Sequence, residues 1–204
     1  MKHYQLTKNK SSKKLLIVLI IMLLFGCSPS YNSYKVPPQI SIQVFIRPLS
    51  KIQTKLCALM LPPKLPPKTL SMEETKRWQM AYAKVIQQCL LQTRAFYVVE
   101  LQEPDTDIKR AIKEANLWHL NCVIVPTITK MLAPTDTSSG ILILNFKVIS
   151  TKTKVVLWAI TAQAILSPQP YEDFIFWHQP FKPATNITQA LSILTRDIAM
   201  VIKQ

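Results

Sequence analysis

Leu142-Ile143-Leu144-Asn145-Phe146-Lys147-Val148 sets Leu142, Leu144, Phe146 and Val148 on one side of an extended chain and Ile143, Asn145 and Lys147 on the other. That period of two marks a strand with one face in a core. Ser150 to Lys154 is a polar connection of hairpin length, and Val155 to Ile165 is a second long β-rich run. The pair reads as a hairpin.

Before it, Cys122-Val123-Ile124-Val125 is apolar without alternation, as in a central strand covered on both faces. Ile108, Ala111, Ile112 and Ala115 mark a helix, introduced by the break Glu103-Pro104-Asp105, which also supplies its cap. Phe96-Tyr97-Val98-Val99 is a short strand. Ser71 and Glu74 form a capping box, and Trp78, Ala81, Tyr82, Val85 and Cys89 follow at helical spacing to near Thr93. Residues 60–70 hold four prolines and two lysines, which predicts a stiff extended connector, with a docking motif as the alternative. Ile40, Ile42, Val44 and Ile46 alternate with Ser41, Gln43 and Arg47, a strand buried on one face and ended by Pro48. At the other end, Asn186 and Gln189 cap a helix with apolar positions Ile187, Leu191, Leu194, Ile198 and Val201. The order β-α-β-α-β-β-β-α predicts one α/β (α+β) domain, residues 40–204, a layered mixed sheet with helices packed on it.

The first 26 residues have a different character. Lys2, Lys8, Lys10, Lys13 and Lys14 stand without an acid, followed by the apolar run Leu15 to Phe25 and then Gly26-Cys27. This is the order of a cleavable secretory signal. The run falls short of the roughly 20 apolar residues of a spanning helix. Leu24-Phe25-Gly26-Cys27 resembles the lipobox of bacterial lipoproteins. The resemblance implies a diacylglycerol on the Cys27 sulfur, cleavage before it and acylation (palmitate) of the new amine, with no cofactor beyond that covalent lipid. Several acyl chains anchor firmly where a single one is marginal. Ser28 stands where an aspartate tends to mark inner-membrane retention, so the resemblance favours the outer membrane, periplasmic face. Residues 27–39, with Pro29, Pro37 and Pro38, read as a tether.

The formal charge is +14; cleavage removes five of the 25 Lys and Arg and none of the 11 acids, which leaves +9. At an envelope address this suits acidic headgroups or cell wall rather than nucleic acid, with a merely solvated basic surface as the alternative. Cys57, Cys89 and Cys122 remain beyond the lipid site, an odd number that leaves at least one thiol unpaired; Cys89 and Cys122 fall in core patterns. One bridge stays open as an alternative.

The chain has two glycines, Gly26 and Gly140. With only Gly140 after cleavage, neither a phosphate-cradling loop nor a Gly-x-Ser-x-Gly elbow can be built. His119 and Cys122 are three apart, but no second ligand pair has zinc spacing, so no metal is expected; His119 reads as a helix-end residue. Asp105 with Asp107 reads as helix-start charge, and Glu172 with Asp173 as a solvated turn. Tyr171, Phe174, Phe176, Trp177 and Phe181 crowd one loop. They read equally as an interface and as cover folded over the sheet edge, and the alternation of Phe174, Phe176 and His178 also suits a short strand.

Three stretches carry a wider resemblance: Arg94 to Glu100, Asn121 to Thr129, and Val148 to Trp158. They resemble the small α/β domain of the curli secretion-channel lipoproteins, the lipoprotein activators of penicillin-binding proteins and the amino-terminal domain of TolB. Pro126 and Lys154 stand where that group has glycine, and Ser150 where it has aspartate. The resemblance implies a non-catalytic envelope protein that binds another envelope component and assists its assembly or activity. Direct binding of peptidoglycan or anionic lipid is the alternative, and an enzyme of unrecognised kind the third reading. Oligomeric state is not legible.

Overall fold

A computed structural model describes residues 35–48, 55–67, 71–169, 172–173, 178–179 and 182–204. Cys27 and the aromatics Tyr171, Phe174, Phe176, Trp177 and Phe181 lie outside them. Eleven elements run in the order β1 (Gln39–Ile46), β2 (Cys57–Met60), α1 (Met72–Gln92), β3 (Val98–Leu101), α2 (Ile108–Leu117), β4 (Cys122–Leu132), β5 (Gly140–Ser150), β6 (Val156–Leu166), β7 (Glu172–Asp173), β8 (His178–Gln179) and α3 (Ile187–Lys203). The first six strands make one mixed sheet of order β1-β6-β5-β4-β2-β3, and β7 with β8 make a separate two-stranded ribbon.

The sheet has two halves of different origin. β4, β5, β6 and β1 pair antiparallel, with Phe146 opposite Pro126 on one side and Ile160 on the other. β2 pairs parallel with both β3 and β4. The crossover β2-α1-β3 steps one way along the sheet and β3-α2-β4 steps back the other way, past β2, so right-handed connections put their helices on opposite faces. Burial agrees. Ala83, Ile86 and Leu90 of α1 and Leu191, Leu194 and Ile198 of α3 share the main core with Leu142, Leu144, Phe146 and Val148. Ala111 and Ala115 of α2 close a smaller core over Leu59, Val123 and Val125 on the other face. Cys122 to Val125 is thus covered on both sides, as its unbroken apolar run requires.

Local chemistry explains the boundaries. The Ser71 hydroxyl accepts from the Glu74 amide (3.2 Å) and the Glu74 carboxylate from the Ser71 amide (3.1 Å), a complete capping box. Asn186 caps α3 by accepting from the Gln189 amide at 2.8 Å. For α2 the cap is Asp107, which accepts from the Arg110 amide at 2.6 Å, and not Asp105 as the break suggested. Asp105 instead turns the chain at φ 74° and pairs with Lys76 at 2.6 Å.

Five expectations need correcting. β2 is a strand the sequence hid: Cys-Ala-Leu-Met has no β-branched residue, and its place comes from β3 and β4 on either side. The proline-rich connector after it is not free, because the Leu61 amide donates to the Ile124 carbonyl (3.0 Å) and the Ile128 amide to the Lys64 carbonyl (2.8 Å). β4 consequently runs past Pro126 to Leu132; the Pro126 carbonyl accepts from the Lys64 amide at 3.3 Å. On α1 the buried face is Tyr82, Ala83, Ile86, Cys89 and Leu90, while Trp78 is half exposed and stacks on Tyr82. In β1, Ile40 and Ile42 pack against the core, but Val44 and Ile46 are exposed. Lys35 and Val36, in the stretch read as tether, touch the domain: the Val36 amide donates to the Pro183 carbonyl at 3.1 Å and its carbonyl accepts from the Thr185 hydroxyl at 2.7 Å.

Scarcity of glycine shows in the turns. Arg94, Asp105, His119 and Lys154 all sit at φ between 55° and 74°, where an L-residue costs about 1–2 kcal/mol. Arg94 and His119 follow the ends of α1 and α2. The His119 amide donates to the Asn116 carbonyl (3.1 Å) and the Leu120 amide to the Ala115 carbonyl (2.8 Å), the hydrogen-bond pair of a Schellman cap that is usually built on glycine.

Candidate binding groove

Asn121, just before β4, holds the start of the parallel half together. Its side-chain oxygen accepts from the Cys57 amide and its own amide donates to the Cys57 carbonyl, both at 2.8 Å. The next link is the Tyr97 amide on the Leu56 carbonyl at 2.7 Å. These bonds bring the approach to β2 and the approach to β3 side by side at one end of the sheet. The last residues of β1, the first of β6 and the C-terminal ends of α1 and α3 reach the same end.

They enclose a groove of about 1300 Å³. Its floor is apolar, with Leu56, Phe96, Trp158 and Ile202 all buried. Its rim carries large apolar groups in water: Phe45 is 67% exposed and Tyr97 66%, with Val44 and Leu91 beside them. Phe45 stands where the β1–β6 register slips between Val44 and Ile46. A bulge of that kind turns a side chain off the regular pleat.

Four cations complete the lining, Arg47, Lys55, Arg94 and Lys203, and no Asp or Glu is among the described lining residues. Lys55 Nζ lies 4.7 Å above the Tyr97 ring. Lys203 Nζ donates to the Thr93 carbonyl at the end of α1 (3.1 Å), which docks α3 onto α1. Two helix C-termini bring roughly half a negative charge each. Four full positive charges outweigh them, so the groove is electropositive.

Candidate chemistry elsewhere is sparse. His119 is exposed at its turn, whereas Cys122 is fully buried on the core side of β4 and its thiol faces the Cys57 carbonyl at 3.7 Å; the two are not brought together. Among the described residues there is no group of three or more His, Cys, Asp or Glu placed to hold a metal. Cys57, Cys89 and Cys122 are all free thiols. Burial, with Cys57 nearby, pushes the Cys122 thiol up to about 12, and burial raises Cys89 against the opposing Arg196 charge. Asp105 and Asp107 serve separate turns. Glu172 pairs with Gln179 and Asp173 with His178 in the β7–β8 ribbon, so that stretch has strand pairing where a solvated turn was expected. Cys27, Tyr171, Phe174, Phe176, Trp177 and Phe181 lie outside the described residues. Sequence reading missed the groove because its residues come from five separate segments. The one legible signal was Phe45, an apolar residue on the polar side of an alternating strand.

The architecture defines a mixed α/β domain of one six-stranded sheet with three helices packed on it. Among solved structures it is similar to the PelC dodecamer from Paraburkholderia phytofirmans, at TM-score 0.56 and 9% identity over 81% of this chain and 98% of that one. It is also similar to the hypothetical protein CT253 from Chlamydia trachomatis (TM-score 0.48, 12% identity, 74% of this chain and 96% of that one) and the lipoprotein GNA1162 from Neisseria meningitidis (0.42, 15%, 72% and 97%). The PelC likeness shows a shared fold. No family model and no curated protein matches the sequence.

Proposed function

We propose that the chain is a lipid-anchored protein of the bacterial envelope, cut before Cys27, acylated there and held by its tether on the periplasmic side of the outer membrane. Its α/β domain binds another envelope component, without catalysis, and assists that component's assembly or activity. The observation that carries the binding role is the groove: a concavity with exposed Phe45 and Tyr97 on its rim and four cations with no Asp or Glu among the described lining residues. Exposed aromatic groups around a buried apolar floor are what an interface desolvates on association. The anchor rests on the Lys-rich start, the apolar run and Gly26-Cys27. PelC is a dodecamer, so copies of the chain are themselves candidate partners.

Crosslinking in intact envelopes tests the binding role. Discrete partner-containing products are expected, and a chain recovered without any crosslinked product counts against the reading. The second reading, direct attachment to peptidoglycan or anionic lipid through the basic surface and the aromatics of residues 171–181, draws on the +9 charge. Cosedimentation with purified peptidoglycan and with anionic vesicles separates it, and failure in both removes it.

A further inference from the structure

The groove has a shape and a charge that together select its occupant. We propose that it receives an acidic segment of a partner protein, one that carries carboxylates beside apolar side chains; this rests on the binding role proposed above.

Charge is the first ground. Among the described residues Arg47, Lys55 and Arg94 have no carboxylate partner; Lys55 lies over the Tyr97 ring and Lys203 donates to the Thr93 carbonyl. An uncompensated ring of this kind attracts an anionic partner and repels a basic one. The apolar floor is the second ground. A segment bearing charge alone would leave Trp158 and Ile202 uncovered, whereas one that alternates carboxylates with apolar groups satisfies rim and floor together. Concavity is the third. A bilayer surface is flat and cannot enter a groove, while a chain segment can. About 1300 Å³ also exceeds the roughly 300–1,000 Å³ of a typical small-molecule pocket.

Position agrees with this. The described chain enters the domain at Lys35 and Val36, which touch Gln189 and Pro183 near the start of α3. The groove lies at the other end of both β1 and α3. The pole that carries the groove is therefore opposite the end at which the described residues begin.

The full chain, purified in a neutral detergent, is titrated into a fluorescein-labelled short peptide in which Glu alternates with Leu, and into its Gln-Leu counterpart. Saturable binding of the acidic peptide is expected, weakened by salt, with the Gln peptide about tenfold weaker. Arg47→Glu with Lys55→Glu, both on exposed residues, weakens the acidic peptide about tenfold or more. Phe45→Ser, at another exposed position, weakens both peptides. Unchanged thermal unfolding certifies each variant as folded. Equal affinity for the two peptides overturns the proposal, as does an acidic affinity indifferent to all three substitutions. So does displacement of the peptide by micelles doped with phosphatidylglycerol but not by neutral ones, which would assign the groove to lipid. If envelope crosslinks persist in the Arg47→Glu, Lys55→Glu variant, the groove assignment fails while the binding role stands. If the unaltered chain yields none, the binding role itself fails.

Discussion

Lys154 occupies the turn between β5 and β6, at φ 58°, its amide donating to the Ser150 carbonyl at 2.9 Å. Its side chain is exposed, so it pays the left-handed penalty without a packing return. Lys154→Gly should raise stability by about 0.5–1 kcal/mol, the relief of strain reduced by glycine's extra freedom when unfolded; a lower urea midpoint would contradict this. Glu74 makes a pH-dependent case. Hydrogen bonds from the Ser71 side chain and then its amide lower the carboxyl below its ordinary 4.5. A depressed acid contributes its stability in full above that value and loses it as pH falls through the lower, folded one. Glu74→Gln preserves the box at neutral pH and should remove this part of the acid dependence. Acid titrations of the helical signal of both proteins check it: an unchanged slope would show that the box does not couple to protonation. The free thiols follow from burial. Cys89 and Cys122 should resist alkylation in the folded protein and react on unfolding, readable by mass spectrometry.

At the scale of elements, Gly140 begins β5 against the chain that leaves β4. A Cβ there would lie 2.5 Å from the Pro134 nitrogen and 2.6 Å from the Leu132 carbonyl oxygen. Both are backbone atoms that cannot swing aside, so Gly140→Ala should destabilise by about 1–3 kcal/mol; thermal unfolding of the pair decides it. Legibility also divides by element. Strands β5 and β6 and the caps of α1 and α3 were readable, because one-sided burial imposes strict alternation and a cap needs a specific side chain at a specific offset. Strand β2 was not, since its conformation is enforced by neighbours remote in sequence. Trp78 and Ala81 were misplaced for a related reason: an amphipathic helix with a wide apolar stripe leaves its exact buried face to tertiary contacts. The groove was invisible because it is a property of five chain segments meeting, and no window of sequence contains it. Phe45 alone broke its local pattern, and it proved to be on the rim.

For the molecule as a whole, the two-layer half and the three-layer half divide the work. The α2 side covers the first half of β4, Cys122 to Val125, while the β1 side leaves apolar groups in solvent at the groove. Anchoring belongs to this scale as well. Cys27→Ala should yield a longer, unlipidated chain, seen by mass spectrometry and by loss from the membrane fraction; normal processing of that variant would overturn the lipoprotein reading. The strand order carries a further consequence for how the chain comes to be folded. β1, made first, pairs only with β6, made nearly last. A chain made from its N-terminus cannot close that edge until residue 166 has been added, and contacts so remote along the chain form slowly. The edge that opens the sheet is thereby the last to be sealed, and the chain keeps a free strand until its synthesis is almost done.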